Sequence, residues 1–565
     1  MSQGAGRWSH TLTLALAFEG EGKIPSGGDT MMRLWVALTA MALFGIACGP
    51  AQQALPRQTD GEPKTGGTLR TRVTNDPFDW DMSYVGRSVP NSEGLTFAYD
   101  SLLGYKQGPG VAYDELILRG ELADRWEVSP DARSFTFRLK KGVRFAGLPP
   151  VNGRELTSTD VKWSYEYMSR SGDFKKLPQA QFETFFEGLQ RIETPDPYTV
   201  AIHFKDPFVP FLNYAASDFN PIMPHEIYDQ DGHLKDRVAG TGAFQLDAGT
   251  VQKGTRWVWK KNPGYSEPGK PYLSEVQWLV LPDDAAGHAA FRSKQLDLLS
   301  TRLSAAQADE IKRGNPEAVL YEFVYNNPQH VWLNTRKPPL DDVRVRKAIA
   351  LSVNRDEFIK VLSGGKGGWA LAGGFPDTFS VEETRALLRH DPAEARRLLA
   401  DAGYPTGLDI ELTFTPSGDQ AQTLLELFQA QLKKGGVNVV FKSLDRESES
   451  TRRKNGDYLI NIVQGVPLEG DVDSYLFTRF HASSRNNYAG LTDPKLMGML
   501  EGQRRESDPA KRQTIVRDAV KYINEMVYNL ALTYPPGFQF WHPNVKNYAP
   551  HAGSRGLPLT ESWIE

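Results

Sequence analysis

Along this chain the hydrophobic positions switch repeatedly between a period of two and a period of three to four. Ser134–Leu139 alternates, with Phe135, Phe137 and Leu139 on one face, which predicts a half-buried strand. It follows Trp126-Glu127-Val128 across Ser129-Pro130-Asp131-Ala132. Proline presets that turn, so the two segments read as a β-hairpin. From Ser158 the period lengthens. Val161, Tyr165 and Met168 share one side, and Thr157 with Asp160 has the spacing of a capping box. Asp342 is placed to cap a helix whose stripe is Val345, Ala348, Ile349, Ser352 and Val353. Asp391-Pro392-Ala393-Glu394 combines a cap, proline at the first helical position and glutamate at the third. That helix carries Leu398, Leu399 and Ala402, with Gly403 as its C′ residue. Ile410–Thr415 alternates as a strand. Ala421, Leu424, Leu425, Phe428 and Leu432 then line one helical face that stops at Gly435-Gly436, and Val437–Lys442 is a further strand. Strand, helix and strand at this spacing predict a βαβ unit with parallel strands. Asp508-Pro509 opens the last long helix, with Ile515, Ala519 and Ile523 expected inward. Strands and helices alternate throughout, and the fold class expected is α/β.

The longest apolar run, Leu34–Ala47, is too short for a standard membrane span. It follows Arg33, has the length of a secretory core and ends in small residues directly before Cys48, the single cysteine. Gly45-Ile46-Ala47-Cys48 resembles the lipobox of a bacterial lipoprotein signal, in which the cysteine sulfur receives a diacylglycerol. Residues 1–30 precede Met31-Met32 and read as a non-native upstream extension. Residues 31–47 read as the signal and 48–65 as a flexible tether. Export with lipid anchoring at Cys48, in the periplasm or at the cell surface, is the expectation.

Composition narrows the function. The 565 residues carry 65 Lys+Arg against 69 Asp+Glu, a formal charge of -4, which gives no basic footprint for nucleic acid. One cysteine excludes an intramolecular disulfide and cysteine-based zinc sites. The chain has no GxSxG elbow, P-loop or HExxH, and its histidines form no i, i+4 pair. Gly240-Thr241-Gly242 and Gly364-Gly365-Lys366-Gly367-Gly368 lack the GxGxxG frame. Asp229-Gln230-Asp231-Gly232 departs from a calcium loop. Asp283/Asp284 and Asp471/Asp473 are the paired acids, and Arg452-Arg453-Lys454 reads as a solvated face. No enzyme, no cofactor and no metal is the reading.

Seven blocks in order then resemble the bacterial extracellular solute-binding proteins, family 5, which serve dipeptide and oligopeptide ABC transporters. They are Gly66-Gly67-Thr68-Leu69-Arg70; Leu122 to Phe145 with Leu156 to Tyr165; Gly240 to Phe244; Asn262-Pro263-Gly264-Tyr265 with Gly269 to Leu273; Leu333 to Arg355; Ala402-Gly403-Tyr404-Pro405; and Asn486 to Gly490. The resemblance implies a two-lobed periplasmic-binding-protein fold of class II, of the large peptide-binding type, with an extra subdomain in lobe I. Lobe I would be 66–328 plus 535–565, its subdomain about 95–225, and lobe II 329–534. The crossings near Tyr325–Asn334 and Tyr534–Gly537 would be hinges. It further implies a monomeric receptor that closes on a peptide or another small polar solute and docks on ABC permease subunits. Sugars or oligosaccharides are an alternative cargo on the same fold. A surface lipoprotein hydrolase is the alternative from another class, and a sensory or adhesive protein a third.

Carried over by position, the candidate ligand contacts are Tyr84 and Arg87 after the opening strand, Trp369 in the glycine-rich crossing loop, and Gln464, Glu469 and Asp471 in the stretch 464–473. Asn486 and Tyr488 complete the set. In peptide-binding relatives the matching stretch has a Gly-Trp pair and an aspartate for the peptide ammonium. Here Gly465 and Leu468 stand at those two places, which leaves Glu469, one position off, as the substitute.

Overall fold

A computed structural model describes residues 61–83, 89–300, 303–325, 327–375, 378–416, 420–464, 470–553 and 558–565. The signal, Cys48, Tyr84, Arg87 and Glu469 lie outside them. Two sheets organise the chain. The larger has seven strands in the order Val319–Val324, Pro536–Trp541, Leu298–Ser300, Thr68–Val73, Glu275–Val280, Arg256–Lys261 and Phe244–Leu246. Its centre is the opening strand, parallel to both neighbours. The second has five strands in the order Val437–Ser443, Leu408–Phe414, Ile460–Gln464, Gln329–Leu333 and Asn529–Ala531. Each sheet is packed on both faces. Trp278 and Trp541 lie in the cluster on one face of the large sheet, Leu299 and Phe540 in that on the other. Val331 and Leu333 face one side of the second sheet and Trp332 the other, as a period of two requires.

A four-stranded antiparallel sheet holds Ala123–Val128, Ser134–Leu139, Thr199–Phe204 and Leu189–Asp196. Its hairpin register sets Trp126 opposite Phe137 and Val128 opposite Phe135. Phe135 and Phe137 share one continuous core with Leu69 and Trp278, so this sheet belongs to the lobe of the large sheet. The helix Ser158–Ser169 has the capping box at Thr157 and Asp160. The βαβ unit forms with Leu408–Phe414 parallel to Val437–Ser443 in full register. Gly403 takes φ 96 after the helix Pro392–Asp401, the left-handed turn that glycine tolerates best. On the final helix, Pro509–Glu525, Ala519 and Ile523 are buried as expected and Ile515 is half-buried. Val516 and Val520 are buried beside them, and Arg512 also points inward, to a carboxylate of its own lobe.

Gly240 and Gly242 owe their identity to packing. A Cβ on Gly240 would lie 1.9 Å from the carbonyl oxygen of Ala98, and one on Gly242 2.5 Å from that of Phe97. Thr241 between them donates to Asp100 at 2.8 Å. Gly240→Ala is therefore expected to destabilise by about 3 kcal/mol, read as a fall in the urea midpoint at unchanged slope.

The chain passes between the two sheets twice, from Val324 to Gln329 and from Ala531 to Pro536. These passages and the faces they bring together position the site.

Candidate functional site at the seam between the lobes

Where the lobes touch, Asp471, Arg485, Asn486 and side chains of the helices Asp473–Phe480 and Pro494–Arg505 meet residues 179–214 of the first lobe, and Arg512 of the helix Pro509–Glu525 backs them from within its own lobe. Asp471 is buried and receives both terminal nitrogens of Arg512, at 2.8 and 2.5 Å. Burial alone would raise its pKa, but the Arg512 guanidinium and its hydrogen bonds hold the carboxyl below the ordinary range. From the other lobe the Asn213 amide donates to Asp471 at 3.2 Å, and Tyr105 donates to Asn213 at 3.1 Å. Burial, with the charges of Asp471 and Asp218, raises the Tyr105 hydroxyl's pKa well above its ordinary value.

Asp473 has no exposed surface. It accepts from Arg504 Nε at 2.9 and 3.0 Å, from Gln503, and from the hydroxyl of Tyr214 across the seam. Arg504 Nη2 also donates to the Thr184 carbonyl at 3.2 Å. The backbone N–H of Val209 donates to the Arg504 carbonyl at 2.9 Å. Thr478 meets Thr184 at 3.2 Å. Arg485 and Asn486 reach the carbonyls of Gln179 and Gln181 at 2.5 and 3.5 Å. The seam is thus a row of neutralised charges and hydrogen bonds, which is costly to bury unless every member is paired.

The expected contacts fall into distinct places. Asp471 is spent on Arg512 and Asn213, so both carboxylate oxygens already have partners. Asn486 bridges the lobes and accepts from the Tyr488 hydroxyl at 3.0 Å. Tyr488 is buried against Trp332. Arg453 lies 4.2 Å and Arg479 5.1 Å from its ring centre. Burial raises its pKa, but the two guanidiniums outweigh that and bring it down to about 8. Arg453 is a correction to the solvated-face reading of 452–454. One turn after Glu449 it turns inward and pairs with it at 2.9 Å. Trp369 pairs through its backbone with Thr533 beside the second crossing. Its indole N–H donates to Asp356 at 2.8 Å and Arg385 covers its ring at 4.5 Å, so one edge and one face are already used within the second lobe. Gln464 ends the strand opposite Gln329. Asp283 caps the helix Asp284–Arg292, and Asp284 pairs with Arg72 at 2.7 Å.

Two glycines pack directly on Tyr105. A Cβ on Gly470 would lie 1.8 Å from its hydroxyl, and one on Gly553 2.6 Å from its ring. In the same lobe a small crevice of about 70 Å³ is lined by residues that include Asp100, Arg119, Glu121, Asp218 and Tyr265. Burial raises Asp100 to about 6, against the pull of Thr241 and Arg119. Burial and the neighbouring Asp100 raise Glu121 to about 8. His330, on the first strand of the second lobe, is stacked on Tyr475, and burial lowers it to about 3, so it is neutral. Among the described residues no group of three His, Cys, Asp or Glu is placed to hold a metal ion.

Sequence reasoning did not single out Tyr105, Asn213, Tyr214, Arg479, Arg504 or Arg512. Each lies in an ordinary helix or strand segment, and its role depends on a partner some 10 to 260 positions away.

Residues 118–487 match the family model of the bacterial extracellular solute-binding proteins, family 5. That span is well over half of the chain, and the chain belongs to this family. The dipeptide-binding protein of Escherichia coli strain K12 is 25% identical over 540 residues, covering 92% of this chain and 95% of its own. The periplasmic binding protein DppA of Helicobacter pylori, solved with the peptide STSA, matches with a TM-score of 0.77 at 23% identity. It covers 89% of this chain and 99% of that one. AgaA of A. tumefaciens R10, solved with agropinic acid, matches with a TM-score of 0.77 at 25% identity over 88% and 99% of the two chains. The two-lobed periplasmic-binding fold is the architecture of this chain, and its family is one of extracellular solute binders.

Proposed function

We propose that this protein is the solute receptor of an ABC importer, that it captures a peptide or another small polar solute between its lobes, and that it delivers the solute to membrane permease subunits. The observation that carries the reading is the seam itself. Two lobes joined by two crossings meet through hydrogen-bonded side chains that can separate and re-form, the arrangement a hinge-closing binder needs. A solute that contacts both lobes favours the joined state by its differential affinity. The lobes would run 66–328 with 535–565, and 329–534, and every strand of the two sheets falls within these spans. Tyr84, Arg87 and Glu469 would reach the solute from the loops that carry them. Asn486 and Tyr488 would shape the second lobe's wall. Asp471 would lock the lobes rather than bind the solute. The receptor would be monomeric and non-enzymatic, and would need no cofactor. Cargo other than a peptide gains support from AgaA and its agropinic acid.

Native mass spectrometry of the purified protein before and after mild denaturation tests this. A released series of peptides would establish peptide cargo. A single non-peptide mass would move the cargo to another class, and turnover of chromogenic peptides or glycosides would overturn the receptor reading. We further propose export and lipid anchoring at Cys48. Cys48→Ala is expected to abolish incorporation of labelled fatty acid and to shift the protein from the membrane to the soluble fraction.

A further inference from the structure

The glycine-rich run Gly364-Gly365-Lys366-Gly367-Gly368 lacks the frame of a phosphate loop, and its lysine takes no part in the seam. The run follows the helix Arg355–Ser363 of the second lobe and lies where the chain passes between the lobes. Gly368 and Trp369 pair antiparallel with Tyr534 and Thr533 in the second crossing. Gly367 takes φ 92, and a Cβ on it would lie 2.3 Å from the Tyr534 carbonyl oxygen and 3.4 Å from Cδ of Pro536. Glycine lets the run press on the crossing this closely. The Lys366 N–H donates to the Ser363 carbonyl at 3.0 Å, and the Trp369 indole is held by Asp356 and Arg385. The backbone of the run is therefore fixed to the second lobe.

The side chain of Lys366 reaches the first lobe. Its ammonium donates to both carboxylate oxygens of Glu322, at 2.7 and 2.9 Å, and lies 5.2 Å from the ring centre of Phe538. Glu322 and Phe538 are direct partners across two strands of the large sheet. Glu322 stands two residues before the first crossing starts at Val324, and Phe538 two residues after the second ends at Pro536. The crossings are joined at this level, where the Tyr325 N–H donates to the Pro535 carbonyl at 2.9 Å. One side chain thus spans the lobes beside both crossings. Rotation of a lobe about the crossings turns the strand carrying Glu322 against the loop carrying Lys366. Two bonds to one ammonium are made over a narrow range of lobe angles, and they are made here with the seam joined.

We propose that the run 364–369 is a hinge clip, in which Lys366, seated on Glu322 and Phe538, biases the lobes toward the joined state before any solute is bound. This rests on the reading of the protein as a hinge-closing receptor. The apparent affinity of such a receptor scales with the population of its competent state, so the clip sets one common factor for every solute. Lys366 and Glu322 are 38% and 45% exposed, so their contribution is modest and falls as salt rises.

The test uses the full chain carrying Cys48→Ala, stripped of solute by denaturation and refolding. Spin labels on Gln190→Cys and Lys511→Cys, exposed positions of the two lobes, report the distance between them by pulsed electron resonance. Lys366→Met keeps the alkyl stem over Phe538 and removes the charge. At low salt it is expected to lower the ratio of joined to separated molecules by about threefold. The exchange of Lys366→Glu with Glu322→Lys should restore most of that ratio. In about 1 M NaCl the protein with Lys366 should approach Lys366→Met, which itself should change little. Two distances whose ratio is the same with and without Lys366→Met would overturn the clip and leave the receptor reading intact. A ratio that rises in Lys366→Met would mean that the contact holds the lobes apart, and would also overturn the clip alone. A single distance in every sample would overturn the hinge-closing reading and the clip with it.

Discussion

Asp473→Ala is expected to destabilise the protein by about 3–5 kcal/mol. The side chain has no exposed surface, and its removal strands Arg504 between the rings of Phe477 and Phe208, where solvent cannot reach it. Tyr214 loses its acceptor in the same step. The loss is a property of the unpaired charge and not of the pair. Asp473→Leu combined with Arg504→Met should therefore recover most of it, because an apolar pair of similar volume removes the cation along with the anion. Urea unfolding of the single and double variants separates the two terms. Because Tyr214 belongs to the other lobe, small-angle scattering of Asp473→Ala should also show a larger radius of gyration. A loss below about 1 kcal/mol, the scale of exposed ion pairs, would mean that the seam is open to water in solution. The neighbouring Asp471 adds a pH signature. Its folded pKa is lowered, so its stabilisation is present above the unfolded carboxylate value and is lost as pH falls through the depressed one. Acid should therefore weaken the seam.

Glu121→Gln should act in the opposite pH range. The folded pKa is raised to about 8 from the ordinary 4.5, chiefly by burial and then by Asp100. A raised pKa gives stability that is complete below the unfolded value and disappears as pH climbs through the folded one. The wild type is thus expected to lose stability between about pH 4.5 and 8, and the variant to be spared that loss. One pKa unit corresponds to about 1.4 kcal/mol. That shift already includes the opposing pull of Arg119 at 3.5 Å, and the Glu121 side chain is 22% exposed, so solvent screening leaves an expected gain of about 2 kcal/mol at pH 8. At pH 4 the two proteins should nearly match, since the carboxyl is protonated in the folded state and mostly so in the unfolded one, and a glutamine oxygen still accepts the Ser101 N–H. Arg119 keeps Glu267 at 3.2 Å, so the substitution leaves no bare cation. Thermal unfolding at pH 4 and pH 8 reads the result. Equal stability at pH 8 would place Glu121 in contact with solvent.

The elements of this protein were legible where their causes are local. The hairpin at 123–139, the capping box at Thr157, the Asp391-Pro392 helix start and the βαβ unit around Ala421–Lys434 rest on periodicity, caps and turn residues within a few positions. The order of seven short blocks was enough to recognise the family and its two lobes. On the last helix Ala519 and Ile523 face inward as their spacing implied, but a period of hydrophobic residues cannot show an arginine turned inward. Arg512 is buried only because Asp471 waits for it 41 positions earlier in the chain.

What the tertiary structure decided is how the charges are used. As a string, Asp471 and Asp473 are two acids near a glycine, equally suited to hold an ammonium, cap a helix or face solvent. Folding brings Arg512 and Arg504 to them from one lobe and Asn213 and Tyr214 from the other, and so assigns them to the seam. Arg479 is the converse case. It is one arginine among many until packing surrounds it with Tyr488 and a neutral His330 and brings no carboxylate among the described residues. Helix and strand follow from forces that act over a few residues, and a sequence displays those directly. The balance of buried charge depends on which distant segments become neighbours, and only the completed fold specifies that.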